Sequence, residues 1–169
     1  MKLSIISILI LISVSLVTAF SFGIDIEKQL FNIAIVRVQP THDTKIILPK
    51  EIPKVVYLSH KDLLNTFESI AHIISSDSIR GFCNPESLDK IYVDKDLDVF
   101  PLHSTMLHEF VHILQFLNPT GACLVVEKQG GPSKCDEEEL GDCMFYIEMQ
   151  AYMVEDDYKS SIGYHLVIG

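Results

Sequence analysis

The run LHSTMLHEFVHILQFL, from Leu102 to Leu117, constrains this chain more than any other stretch. Met106, Leu107, Phe110, Val111, Ile113, Leu114, Phe116 and Leu117 fall almost all round a helix, so the segment predicts a helix that is buried on most sides. His108, Glu109 and His112 stand inside it, and two imidazoles and a carboxylate in such a place are costly unless paired or bound to metal. Residues four apart share a helix face, so His108 and His112 can aim at one ion while Glu109 projects beside them. Two neutral imidazoles suit zinc; a catalytic zinc needs one more protein ligand and keeps a fourth position open. Metal lowers the pKa of water at that position, and Glu109 is placed to take the proton as the water attacks a carbonyl. An ordinary buried helix with hydrogen-bonded histidines is the competing reading.

The helix must stop at Asn118-Pro119, because proline cannot continue it. The third ligand therefore comes from elsewhere. A second helix is expected over Asp136 to Tyr158, with acids in its first turn that suit the helix dipole, although Gly141 weakens its start. Glu148 is the candidate ligand because it is an acid among Phe145, Ile147, Met149 and Val154, where an unpaired carboxylate would be expensive. Ala151 and Tyr152, three and four residues on, share its face; the small Ala151 allows close approach to the first helix. Tyr152 is the first choice for a donor to a developing oxyanion, with Tyr164 or His165 as alternatives. An exposed surface glutamate is the bland reading of Glu148, and Asp142, Glu155 and His165 are the reserve ligands.

The rest of the chain sets the context. Residues 1–19 carry one lysine, an apolar run and small residues at Val17 and Ala19, the pattern of a secretory signal peptide, which leaves 20–169 as one domain. The run is broken by serines and short for a span, so no permanent membrane anchor is expected, and the location is secreted or periplasmic. Removing it leaves 12 basic against 23 acidic residues, a formal charge of −11, which argues against nucleic acid as a partner. Cys83, Cys123, Cys135 and Cys143 in an oxidising compartment imply up to two disulfides, at least one of them stapling the region between the two helices. A Cys-ligated structural zinc competes weakly, since no CxxC spacing occurs.

Residues 23–38 suit a helix burying Ile26, Leu30, Ile33 and Ala34. Pro40, Pro49 and Pro53 punctuate an extended stretch, and KVVYLS, 54–59, predicts a strand. Ser59 and Asp62 form a capping-box-like start to a helix whose core face is Leu63, Leu64, Phe67, Ile70, Ala71 and Ile74. His72 on that helix is more simply a surface residue. Arg80 to Pro85, with Gly81, is expected as a loop and Leu88 to Leu97 as a strand, either an ordinary sheet strand or, as likeness to zinc peptidases with an HExxH helix implies, one bordering the cleft whose open edge could hold an extended peptide.

Gln115 and Asn118 stand where the metzincin signature has glycine and histidine, which excludes that class. HEFVHILQ followed by a helix with EMQAY instead resembles the gluzincin clan of zinc metallopeptidases, in which two histidines come from HExxH and a glutamate from a later helix. It is most similar to minimal zincins, short secreted bacterial proteins of unknown function with HExVHxLQ and a later ExxAY, over about Ile46 to Tyr158. The resemblance implies an α+β, zincin-like domain with a small sheet packed on the active-site helix and a second, ligand-bearing helix. The expectation is thus a monomeric zinc metallopeptidase acting on a peptide or protein substrate. His108, His112 and Glu148 would hold Zn2+, and Glu109 and Tyr152 would be catalytic. A zinc-binding or disulfide-stabilised interaction or immunity module with little catalysis is the alternative.

Overall fold

The computed structural model describes residues 26–39, 45–71, 79–119 and 140–162. The expected signal peptide, Ile74, His72, Cys123, Cys135, Tyr164 and His165 lie outside them, as do the side chains of Asp142 and Cys143. Helix α1 (26–38) is followed by strand β1 (Lys54–Leu58), helix α2 (His60–Ala71), strands β2 (Gly81–Asn84) and β3 (Ser87–Asp94), and helices α3 (Val99–Leu117) and α4 (Leu140–Ser161). The domain is α+β, with its strands in one three-stranded sheet of order β1-β3-β2.

Helix α3 is the centre of the core. Met106, Leu107, Phe110, Val111, Ile113 and Leu114 are buried in one cluster with Ile91 and Val93 of the sheet, Leu30, Phe31, Ala34 and Val38 of α1, and Ala151 and Val154 of α4. Phe31 meets Phe110 edge to face, ring centroids 5.3 Å apart. Because α3 is apolar nearly all round, it can be covered from three sides, and that enclosure is what buries the polar residues it carries.

β1 runs parallel to β3, with Val55 opposite Ile91, and α2 makes the crossover. Its start is capped as expected: the Asp62 amide donates to Ser59 Oγ at 3.2 Å. β2 pairs antiparallel with β3 through a tight turn in which Asn84 Oδ1 accepts from the Glu86 amide at 2.9 Å. The expected loop over Arg80 to Pro85 is therefore mostly strand, with only Pro85 in the turn, and β3 ends at Asp94 rather than Leu97. β3 is also paired on both sides. The edge beside the site belongs to β2.

Two buried polar groups hold the periphery. Asn118 closes α3 by donating from Nδ2 to the Leu114 carbonyl (2.7 Å) and the Ile47 carbonyl (3.0 Å), while Oδ1 accepts from the Ile47 amide (2.6 Å). One side chain thus ends the helix and ties the extended stretch to it. Asp94, at the end of β3, takes the Asp96 amide on Oδ1 and faces His60 Nδ1 at 2.8 Å through Oδ2, joining the sheet to the start of α2.

Candidate metal centre

The four-residue spacing in α3 sets His108 and His112 one turn apart, and α4 packs across them to deliver Glu148. His108 Nε2 lies 3.0 Å from His112 Nε2 and 3.1 Å from Glu148 Oε2, and His112 Nε2 lies 3.2 Å from Glu148 Oε1. Donor atoms around a tetrahedral zinc, with bonds of about 2.0–2.1 Å, are roughly 3.3–3.4 Å apart. The triangle matches that spacing to within a few tenths of an ångström, and these three residues form a group able to hold a metal ion.

Each outward-facing nitrogen faces a side-chain oxygen. His112 Nδ1 is 2.8 Å from Gln115 Oε1, and His108 Nδ1 is 3.3 Å from Glu155 Oε2, within ion-pair reach but without the alignment of a hydrogen bond. Both imidazoles therefore turn Nε2 inward, and two ring nitrogens and a carboxylate can share so small a space only around a proton or a cation. Without metal the centre holds a proton: burial alone would lower the pKa of His108, but the Glu148 and Glu155 carboxylates outweigh it and hold the imidazole up to about 10. Burial likewise opposes ionisation of Glu148, yet the two imidazoles keep its carboxyl well below the usual range. Such a donor set fits a divalent cation, with nitrogen and oxygen ligands suited to zinc among other metals.

An open cleft of about 440 Å³ lies over the centre. Thr105, His108, Glu109, His112 and Phe116 of α3 form its floor, α4 contributes Glu148, Tyr152 and Glu155, and Phe67 with residues 79–83 lines the other side. Glu109 is only 5% exposed, and among the described residues nothing donates a hydrogen bond to its carboxylate, which opens into this cleft. Burial raises its pKa, opposed by His112 and His108 and reinforced by Glu148 and Glu155. Gly81 makes the close wall here: a Cβ at that position would lie 3.1 Å from Glu109 Cγ and 2.6 Å from Thr105 Cγ2.

Tyr152 is 56% exposed at the cleft, its ring 4.7 Å from that of His108. Burial and then the Glu148 carboxylate raise its pKa, so the hydroxyl keeps its proton at neutral pH. Cys83 is a free thiol in the same lining, and no cysteine pair occurs among the described residues. Burial pushes its pKa well up, with Glu109 and Glu148 adding to the effect, so without metal it stays a thiol.

His108, Glu109, His112, Glu148 and Tyr152 thus converge on one cleft. Glu155, a reserve ligand from sequence, sits behind His108 instead, where Lys159 also pairs with it. Gln115 enters the sequence reading as the residue at the metzincin glycine position and as the end of HEFVHILQ, without a role at the centre, although its spacing three residues beyond His112 puts it on that histidine's face. No family model, curated protein or solved structure matches this chain.

Proposed function

We propose that this chain is a secreted, zinc-dependent hydrolase of zincin-like fold, cleaving a peptide or amide bond. The observation that carries the reading is Glu109, a residue only 5% exposed whose carboxylate opens into a cleft beside three convergent donor atoms. Bound zinc supplies Lewis-acid polarisation of a carbonyl and a lowered pKa for water. His108, His112 and Glu148 would hold it. Glu109 accepts the proton as water oxygen bonds to the carbonyl carbon, then passes it to the nitrogen as the carbon–nitrogen bond breaks, releasing an amine. Tyr152, protonated and facing the cleft, donates to the oxygen on which charge develops.

An extended peptide suits this cleft because β2 is an edge strand among the described residues and Gly81, Phe82 and Cys83 line the cavity. A structural zinc site would gain nothing from a buried base at its side. Glu109→Gln tests the point: zinc content should be unchanged while cleavage of a peptide library falls by about 10²–10⁴-fold, the range for loss of a general base. Wild-type cleavage rates in that variant would overturn the mechanism.

A further inference from the structure

Gln115 is a fully buried amide touching both ligand-bearing helices, and its orientation is determined. Nε2 lies 3.1 Å from the Ile147 carbonyl oxygen and 2.7 Å from Gln150 Oε1. A backbone carbonyl only accepts, so turning the amide over would set two oxygens against each other at that distance. The nitrogen of Gln115 therefore faces α4 and its oxygen faces His112, 2.8 Å from Nδ1. That oxygen in turn needs a donor. His112 must carry hydrogen on Nδ1, which leaves the Nε2 lone pair directed at His108 and Glu148.

We propose that Gln115 is a positioning residue of the metal centre, fixing the tautomer and ring direction of His112 while holding the turn of α4 that delivers Glu148. The two contacts are one device. Ile147 precedes Glu148 in the chain and Gln150 follows it by two residues, so the same amide that orients one ligand from α3 sets the placement of another from α4. Its consequence for metal rests on the hydrolase reading above, whereas the tautomer assignment does not.

Long-range proton–nitrogen spectra of histidine-labelled wild-type protein, with and without added zinc, read the assignment directly. His112 should carry hydrogen on Nδ1 in both, and a neutral Nε2–H tautomer would overturn the proposal. Zinc competition against a chromogenic chelator reads the consequence. Gln115→Met fills the space without an acceptor and should weaken zinc binding by about 10–100-fold. Gln115→Glu keeps an oxygen for the Nδ1 hydrogen but turns its other oxygen towards the Ile147 carbonyl and Gln150 Oε1, so it should recover only part of that loss, which a merely space-filling role would not predict. Equal zinc affinity in wild type and Gln115→Met would refute the positioning role, and if the methionine variant does not fold, the wild-type spectra decide. Should wild-type protein take up no zinc, the hydrolase reading falls, and the metal-free spectrum still tests the tautomer.

Discussion

Gly81→Ala is a one-carbon change with a large expected effect. The added Cβ would stand 2.6 Å from Thr105 Cγ2, 3.0 Å from the Tyr92 carbonyl oxygen and 3.1 Å from Glu109 Cγ. Ordinary carbon–carbon contact is about 3.5–4.0 Å, so the worst clash falls short by roughly 1 Å. Tyr92 cannot retreat easily, since its backbone lies opposite Phe82 in the β2–β3 ladder, and Thr105 and Glu109 sit on the helix at the centre of the core. Strand β2 must move outward or the helix side chains must shift. Overpacking of this kind costs about 1–3 kcal/mol. At about 2–4 °C per kcal/mol for a chain of this size, the midpoint of thermal unfolding should drop by roughly 2–12 °C. Displacing the Glu109 carboxylate by up to about 1 Å should also reduce turnover, on the order of 10²-fold. Zinc content should hold, because the three donor atoms belong to α3 and α4. Thermal unfolding, turnover and metal analysis of the variant check this together; wild-type stability and turnover would refute the reasoning.

Asn118→Ala removes three hydrogen bonds and leaves both polar backbone groups of Ile47 without that partner, so urea unfolding should show a loss of about 1–3 kcal/mol with zinc affinity little changed. In metal-free protein the stabilising contributions of Glu155 and His108 should both be complete between about pH 4.5 and 6.5. Burial opposes the charge on Glu155, but His108 and Lys159 outweigh it and lower its pKa to about 2, so this stabilisation is complete above the ordinary 4.5 and lost as pH falls through 2. The contribution of His108 is complete below the ordinary 6.5 and lost as pH rises through about 10. Zinc uptake near neutral pH should accordingly release a proton, measurable by calorimetry in buffers of different ionisation enthalpy; uptake without proton release would contradict the electrostatics of the centre.

The site was legible where a short motif met a strong periodicity. HExxH inside an apolar helix announced three residues, and Glu148 stood out as an acid in an apolar stretch; the structure brings all four together. Residues whose role depends on tertiary geometry were harder. Gly81 falls in the stretch expected as a loop because glycine marks turns as readily as close approaches, and only the packing of β2 on α3 separates the two. The short strand around it lacks alternation long enough to distinguish it from a loop, which moved the sheet edge from β3 to β2. Gln115, Asn118 and Asp94 are polar residues whose burial follows from what covers them, and sequence carries no direct signal of that cover. Glu155 shares a helix face with Glu148, seven residues away, so its presence near the centre was foreseeable and its position behind His108 was not.

Zinc stoichiometry tests the central claim most directly. Wild-type protein, stripped with chelator and dialysed against zinc, should bind about one ion per chain, because His108, His112 and Glu148 would supply three positions of a tetrahedral site. His112→Ala should lose most of that zinc, and Glu148→Gln, which removes the anionic ligand, should bind it more weakly than wild type. Wild-type protein that takes up no zinc, or a His112→Ala variant that binds it as tightly, would contradict the account.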